Sequence, residues 1–380
     1  MKVTKLFKDF FDCEKAGGLI LMGCTILSLI IANSNFGSNY HDFLQTKFSG
    51  MTVEHWINDG LMAIFFLLIG LELEREIYIG ELSKIKDALL PFFAALGGIV
   101  LPACIYLIFN YGTPTQSGAG IPMATDIAFA LGILSLLGNR VPTSLKVFLT
   151  ALAVIDDLGA IIIIAIFYTK TLLWLYLFIA LGIFVLLLVL NRMKVRNLIP
   201  YLVGGMAMWY FMLQSGVHAT LSGVLLAFAI PFGNGDEKST SYILQHYLHK
   251  PVAFIILPIF ALANTAITIG GDITQTLTEH YSLGIALGLI IGKPLGIFLS
   301  TFLAVTVGLC KLPADLNWKN IFGVGLLGGI GFTMSIFITL LAFDNETIIN
   351  HSKLVILISS LTAGLLGFIS LRVTLKPASN

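Results

Sequence analysis

The sequence predicts an all-α integral membrane fold with twelve transmembrane helices, and three observations carry that reading. Hydrophobic residues make up 57% of the 380 residues and charged residues only 11%, less than half the charged share of globular proteins. Such a chain cannot cover itself with a wetted polar surface. Uncharged stretches at 16–40, 88–125, 171–190 and 197–235 each reach the roughly 20 apolar residues that cross about 30 Å of hydrocarbon. The basic residues of the breaks alternate in the way one-sided insertion requires.

The elements follow in order. Lys2, Lys5 and Lys8 precede an apolar run, but 6–14 interleaves Leu6, Phe7, Phe10 and Phe11 with Lys8, Asp9 and Asp12. That pattern reads as an interfacial helix leading into a retained first span, not as a cleaved signal peptide. Apolar runs between charged or turn-rich breaks place helices near 15–33, 57–75, 88–110, 118–138, 144–168, 171–191, 198–212, 216–231, 248–267, 282–308, 319–343 and 352–375. Between the first two spans, Phe48-Ser49-Gly50-Met51 sits between short mixed-polarity runs, which suggests an outer β-hairpin near 45–56. Nothing of low complexity divides the chain, so 1–380 reads as a single polytopic membrane domain.

Charge tests the span count. With both termini cytoplasmic, the 22 Lys and Arg all fall on that side except Lys47, Lys170 and Lys353 outside and Lys293 within a span. A wrong count would scramble this alternation. The net charge of +1 points to no nucleic acid and no acidic partner. Cys13, Cys24, Cys104 and Cys310 show no paired spacing, so neither a disulfide framework nor a metal site is expected. No cofactor is expected either. Gly292-Lys293 is followed by proline and lacks the phosphate-loop glycines, and His246-Tyr-Leu-His249 lacks the glutamate and spacing of a zinc helix.

Four ionisable residues fall well inside the spans: Asp126, Asp156, Asp157 and Lys293. Each costs several kcal/mol to place there, which marks each as functional or as part of a buried ion pair. Helix five enters near Ser144, so at about 1.5 Å per residue Asp156 lies roughly 18 Å deep. Helix ten enters from the other face near Ser282, which puts Lys293 roughly 17 Å deep by the same rise. Opposite charges at matching depth are candidates to meet. Two adjacent carboxylates in low dielectric repel each other and titrate as one coupled unit. A hard cation such as Na⁺ or Li⁺ competes with protons for the same oxygens. A site holding one or the other, open alternately to each side, is an antiporter.

Helix four reads Gly118-Ala-Gly120-Ile-Pro122-Met-Ala-Thr125-Asp126, and helix eleven contains Gly328-Gly329-Ile-Gly331-Phe-Thr333-Met-Ser335. Glycine and proline this dense weaken the backbone ladder at mid-membrane. Close packing by small residues explains either helix alone. However, both are central in three-helix groups, helices 3–5 and 10–12, that cross in opposite senses. Interrupted helices 4 and 11 at corresponding positions of inverted repeats point to a secondary transporter's binding site. Facing half-helix N-termini would then concentrate positive charge and C-termini negative charge, which Asp126 and Lys293 respectively could offset.

The segments Asn58-Asp59-Gly60-Leu-Met-Ala63, Gly70-Leu-Glu72, Ala124-Thr125-Asp126-Ile-Ala-Phe-Ala130, Ile155-Asp156-Asp157-Leu-Gly-Ala160, Ser215-Gly-Val-His218-Ala-Thr220, Gly292-Lys293-Pro-Leu-Gly296 and Gly331-Phe-Thr-Met-Ser335 together resemble the NhaA family of bacterial sodium/proton antiporters. The resemblance runs almost end to end. It implies exchange of internal Na⁺ or Li⁺ for external H⁺, a multi-pass protein of the bacterial inner membrane, and a homodimer contacting through the hairpin near 45–56. It implies that Asp156 and Asp157 bind cation and protons, assisted by Thr125, Asp126 and Lys293. It also implies a pH-responsive cluster from Glu72, Arg75, Glu76, His246 and His249. There Gln245 departs from the family's glutamate, and an amide cannot titrate. His218 lies in a motif linked to the pH profile, although a satisfied polar residue at a helix start explains it equally. For Glu72-Arg75-Glu76 the alternative is a solvated helix end.

Two other function classes are weighed. An intramembrane aspartyl protease needs two carboxyls facing each other across a water, and consecutive helical residues diverge by about 100°. A passive cation channel predicts flux without proton coupling.

Overall fold

Away from water each backbone N–H and C=O must find its partner within its own segment, so long apolar runs fold as helices. The computed structural model describes residues 5–169, 172–268 and 273–375, with side chains except those of 5–15, Glu81 and Ile273. Lys2, Lys170, Lys376 and the side chains of 6–14, used in the charge and amphipathicity arguments, lie outside the described residues.

Helix α1 spans Lys5–Ala32 and α2 Gly37–Gln45, the two bent by 110°. Lys47–Phe48 then pairs antiparallel with Met51–Thr52, across Ser49 and Gly50, both at positive φ. Next come α3 (Val53–Tyr78), α4 (Ile85–Asn110), a 3₁₀ segment Gln116–Met123 continued by α5 (Ile127–Ser135), and α6 (Thr143–Phe167). The chain continues through α7 (Trp174–Arg192), α8 (Ile199–Ser215), α9 (Leu221–Ala229) and α10 (Thr240–Asn264). It ends with α11 (His280–Thr306), α12 (Trp318–Gly328), α13 (Phe332–Ala342) and α14 (Glu346–Thr374).

Among the described residues, eight helices are long and apolar enough to cross a membrane, and two bent pairs raise that to ten. This is a multi-pass membrane protein. The sequence expectation of two spans at 198–212 and 216–231 meets α8 and α9, of 17 and 9 residues. Neither reaches the roughly 20 residues of a full crossing. Gly216, in the left-handed conformation at φ 84°, ends α8, as glycine does at many helix C-termini.

Two close helix contacts position the site. Helices α4 and α11 cross where a Cβ on Gly97 would strike the Gly296 carbonyl, and a Cβ on Gly296 the Gly97 carbonyl. Only glycine permits that approach. Helices α3 and α9 meet the same way, with Gly223 against the Ala63 carbonyl. Helix α5 packs on α1, and α12 and α13 pack on α14.

Candidate functional site

The site begins with two departures from helix. Pro122 lies one residue before the end of the 3₁₀ segment and has no N–H to donate. Residues 124–126 leave helical geometry, with Ala124 and Asp126 both extended. On the other chain segment α12 stops at Gly328, and α13 restarts at Phe332 after a bend of 47°. Neither Gly329 nor Gly331 has positive φ there. What they supply is room: a Cβ on Gly329 would strike the Leu289 carbonyl, and one on Gly331 the Ser335 side chain. A Cβ on Gly328 would meet Ile297 at 3.0 Å and the Lys293 stem at 3.9 Å.

The two broken segments are laced together. The Asp126 N–H donates to the Ile330 carbonyl at 2.7 Å. Thr125 Oγ1 donates to the Gly328 carbonyl at 2.9 Å, and Ser335 Oγ to the Ile121 carbonyl at 2.7 Å. These bonds satisfy carbonyls that the helix ends leave without intrahelical partners.

Asp126 serves two helix N-termini at once. Its Oδ1 accepts the Phe129 N–H of α5 at 2.9 Å, and its Oδ2 accepts the Thr333 N–H of α13 at 3.1 Å and the Thr333 hydroxyl. A carboxylate so placed caps both ends and faces their partial positive charge.

Lys293 follows a π-helical turn, Gly288–Gly292, the kind of irregularity that often re-aims a side chain at a functional site. Its ammonium is fully buried, lies 2.7 Å from Asp156 Oδ2, and donates to the Met123 carbonyl at the end of the 3₁₀ segment. Gly98 leaves space for the lysine stem, whose Cε is 3.6 Å from the position of a Cβ there. Asp156 Oδ2 also lies 2.7 Å from Thr125 Oγ1, whose single proton is shared between that oxygen and the Gly328 carbonyl. Its other oxygen, Oδ1, is buried without a hydrogen bond. A buried pair of this kind gains Coulomb energy only by giving up two hydration shells.

Asp157 points elsewhere, as the helical step between neighbours dictates. It is buried and lines a narrow cavity with Phe65, Thr125, Asp126, Leu257, Thr333 and Met334. The structure thus gathers Asp156, Thr125, Lys293 and Gly328 at one point, with Asp126 and Asp157 lining the narrow cavity that Thr125 also borders. Met123, Thr333 and Ser335 take part too, and sequence reasoning did not single them out. For Thr333 and Ser335 a signal existed, because hydroxyls directly follow the glycine break. The Met123 contribution is a backbone carbonyl and leaves no trace in residue type.

The residues of the suspected pH-responsive cluster divide. Glu72 Oε1 lies 3.6 Å from His249 Nδ1. The Arg75 guanidinium sits over the Tyr242 ring at 5.2 Å, on which the His246 ring also stacks, with centroids 6.3 Å apart. Gln245, which directly precedes His246 in sequence, is buried, and Glu76 lies half-buried one helical step from Arg75. His218 belongs to another neighbourhood: its Nε2 is 2.8 Å from the Tyr168 carbonyl. The Tyr168 hydroxyl in turn donates to the Ser117 carbonyl at 2.7 Å and accepts the Gly120 N–H at 3.3 Å.

Comparison with known proteins adds an independent finding. A family model described as Na+/H+ antiporter 1 matches residues 8–371. The chain is 71% identical to the Na(+)/H(+) antiporter NhaA of Flavobacterium psychrophilum, over 99% of this chain and 98% of that protein. It is 63% identical to the protein of the same name from Cytophaga hutchinsonii, over 100% of this chain and 98% of that one. With the Vibrio cholerae protein of that name it shares 51% identity, over 98% and 99% of the two chains.

Proposed function

The chain belongs to the Na⁺/H⁺ antiporter 1 family, and from that premise we propose a secondary transporter that exchanges cytoplasmic Na⁺ or Li⁺ for external H⁺. The observation that supports it best is the buried Lys293–Asp156 pair, 2.7 Å apart, at the junction of two broken segments and next to Asp157.

In this reading the resting site is neutralised from within. Lys293 balances Asp156, and Asp126 balances the helix N-termini. A hard monovalent cation needs several oxygen ligands, and Asp156, Asp157 and Thr125 supply them. Cation binding at Asp156 competes with the lysine for the same oxygens, so Lys293 yields as the ion enters. When the ion leaves, protons and the lysine restore neutrality. Because the carboxylates cannot remain uncompensated in low dielectric, the site empties of one cargo only by taking the other. That coupling separates an antiporter from a channel and gives the chain a transport role, not an enzymatic one.

Two carboxylates and a lysine also permit two protons per cation, which makes the exchange electrogenic. We place the protein in the bacterial inner membrane with both termini cytoplasmic and twelve crossings, in which helices 4 and 11 are the interrupted pair. The hairpin at 47–52 would join two copies into a homodimer. Glu72, Arg75, Glu76, His246 and His249 would set the pH response, serving sodium and pH homeostasis.

Everted vesicles carrying a pH-sensitive dye test the core of this reading. Added Na⁺ or Li⁺ is expected to drive proton movement, K⁺ to drive none, and Asp156→Asn or Asp157→Asn to abolish it. Full exchange by both variants would sink the proposal.

A further inference from the structure

Lys353 is one of the three basic residues that the charge pattern places on the outer side, yet it is not a surface charge. It lies about two turns into α14, and its side chain is 6% exposed. Among the described residues its ion-pair partner is Glu54, with Nζ and Oε1 3.8 Å apart. Glu54 opens α3 directly after the hairpin, and its other oxygen accepts Gln45 Nε2 of α2 at 3.0 Å. The partners belong to different helix groups. Helix α14 packs on α5, α11, α12 and α13, all within the two inverted repeats. His351, two residues before Lys353, bonds Tyr281 of α11 at 2.9 Å. Helix α3 lies outside the repeats and packs chiefly on α9 and α10.

Nearer the exchange site, the same boundary is filled by apolar rings. Phe337 of α13, one turn beyond Thr333, has the Phe66 ring of α3 at 5.4 Å and the Phe260 ring of α10 at 6.4 Å, and all three are buried. The ion pair therefore sits at the outer end of a seam that has a dry interior. A lysine ammonium is a strongly hydrated point charge, and one carboxylate at 3.8 Å returns only part of its lost hydration. Parting the pair into water costs little, because each charge regains hydration as the attraction is lost. Such a contact fixes which faces meet and still breaks in every cycle. Resting on the exchange reading, in which the site opens alternately to each side, we propose that Lys353 and Glu54 form a latch. It holds the repeats against α3 while the outer face is closed, and it parts each time that face opens.

The test uses the full-length protein in proteoliposomes and a water-soluble carbodiimide. The reagent activates the partly exposed Glu54 carboxyl, and the Lys353 amine then displaces the urea to leave an amide between the two side chains. Peptide mass spectrometry quantifies that bond. Exchange is expected to fall in step with the bonded fraction while the melting temperature does not fall. Lys353→Arg, which keeps the charge but forms no such amide, is expected to keep its exchange under the same treatment. No bond in the native protein, full exchange by the bonded protein, or equal losses in the native protein and Lys353→Arg would overturn the proposal. Glu54→Gln gives a second reading that does not depend on the arginine variant folding. Without the latch the outward-closed form is less populated, so the apparent KM for Na⁺ at the cytoplasmic face should rise about threefold or more, and an unchanged KM counts against the latch. Exchange by the untreated protein is measured first. Its absence would tell against the exchange reading itself, whereas exchange that survives the bond tells against the latch alone.

Discussion

Lys293 belongs to a fully buried ion pair. It offsets Asp156 at 2.7 Å, and both side chains are wholly buried. Removing one partner of such a pair strands the other, typically at about 3–5 kcal/mol, whereas replacing both costs far less. Lys293→Ala is therefore expected to lower the melting temperature of the purified protein sharply, and Lys293→Ala with Asp156→Asn to recover much of the loss. Additive losses in that double-mutant cycle would deny the pair. Gln245 supports a prediction of a different kind. It occupies a buried position beside His246 in sequence, in the proposed pH-responsive cluster. Gln245→Glu should shift the pH at which dye-monitored exchange switches on, and an unchanged profile removes the position from the sensor.

At the scale of elements, the contact between α4 and α11 holds Lys293 where it can act. Gly97 and Gly296 bring the backbones so close that neither tolerates a Cβ without movement. Gly296→Ala should cost about 1–3 kcal/mol, the usual range for overpacking, and should slow exchange by displacing the lysine one turn away. Gly182→Ala is its control, since nothing lies within 4 Å of a Cβ there, and it should leave both melting and exchange unchanged. The glycine-rich breaks were legible in the sequence as weak points. Their geometry was not, because the glycines at 329 and 331 keep ordinary backbone angles and act by admitting neighbouring atoms.

For the whole molecule, orientation is the testable property. In a cysteine-free background, Ser49→Cys on the hairpin should react with a membrane-impermeant maleimide in intact cells. Lys238→Cys should react only in everted vesicles. The reverse pattern would invert the proposed topology.

The sequence by itself determined the membrane class, the approximate course of the helices and four of the buried charges, Asp126, Asp156, Asp157 and Lys293. Those properties depend on composition and on the cost of each charge in hydrocarbon, which are local. It also marked Asp156 and Lys293 as opposite charges that could meet, from depth and sign alone. Tertiary structure decided what touches what. It placed Lys293 on Asp156 and not on Asp157, gave Asp126 two helix N-termini to cap, and brought the Met123 carbonyl to the ammonium. It also separated His218 from Glu72, and it buried Glu74, which a charge count treats as an ordinary helix end. Hydrogen-bond partners and orphaned oxygens arise between segments hundreds of residues apart, and no local pattern records them.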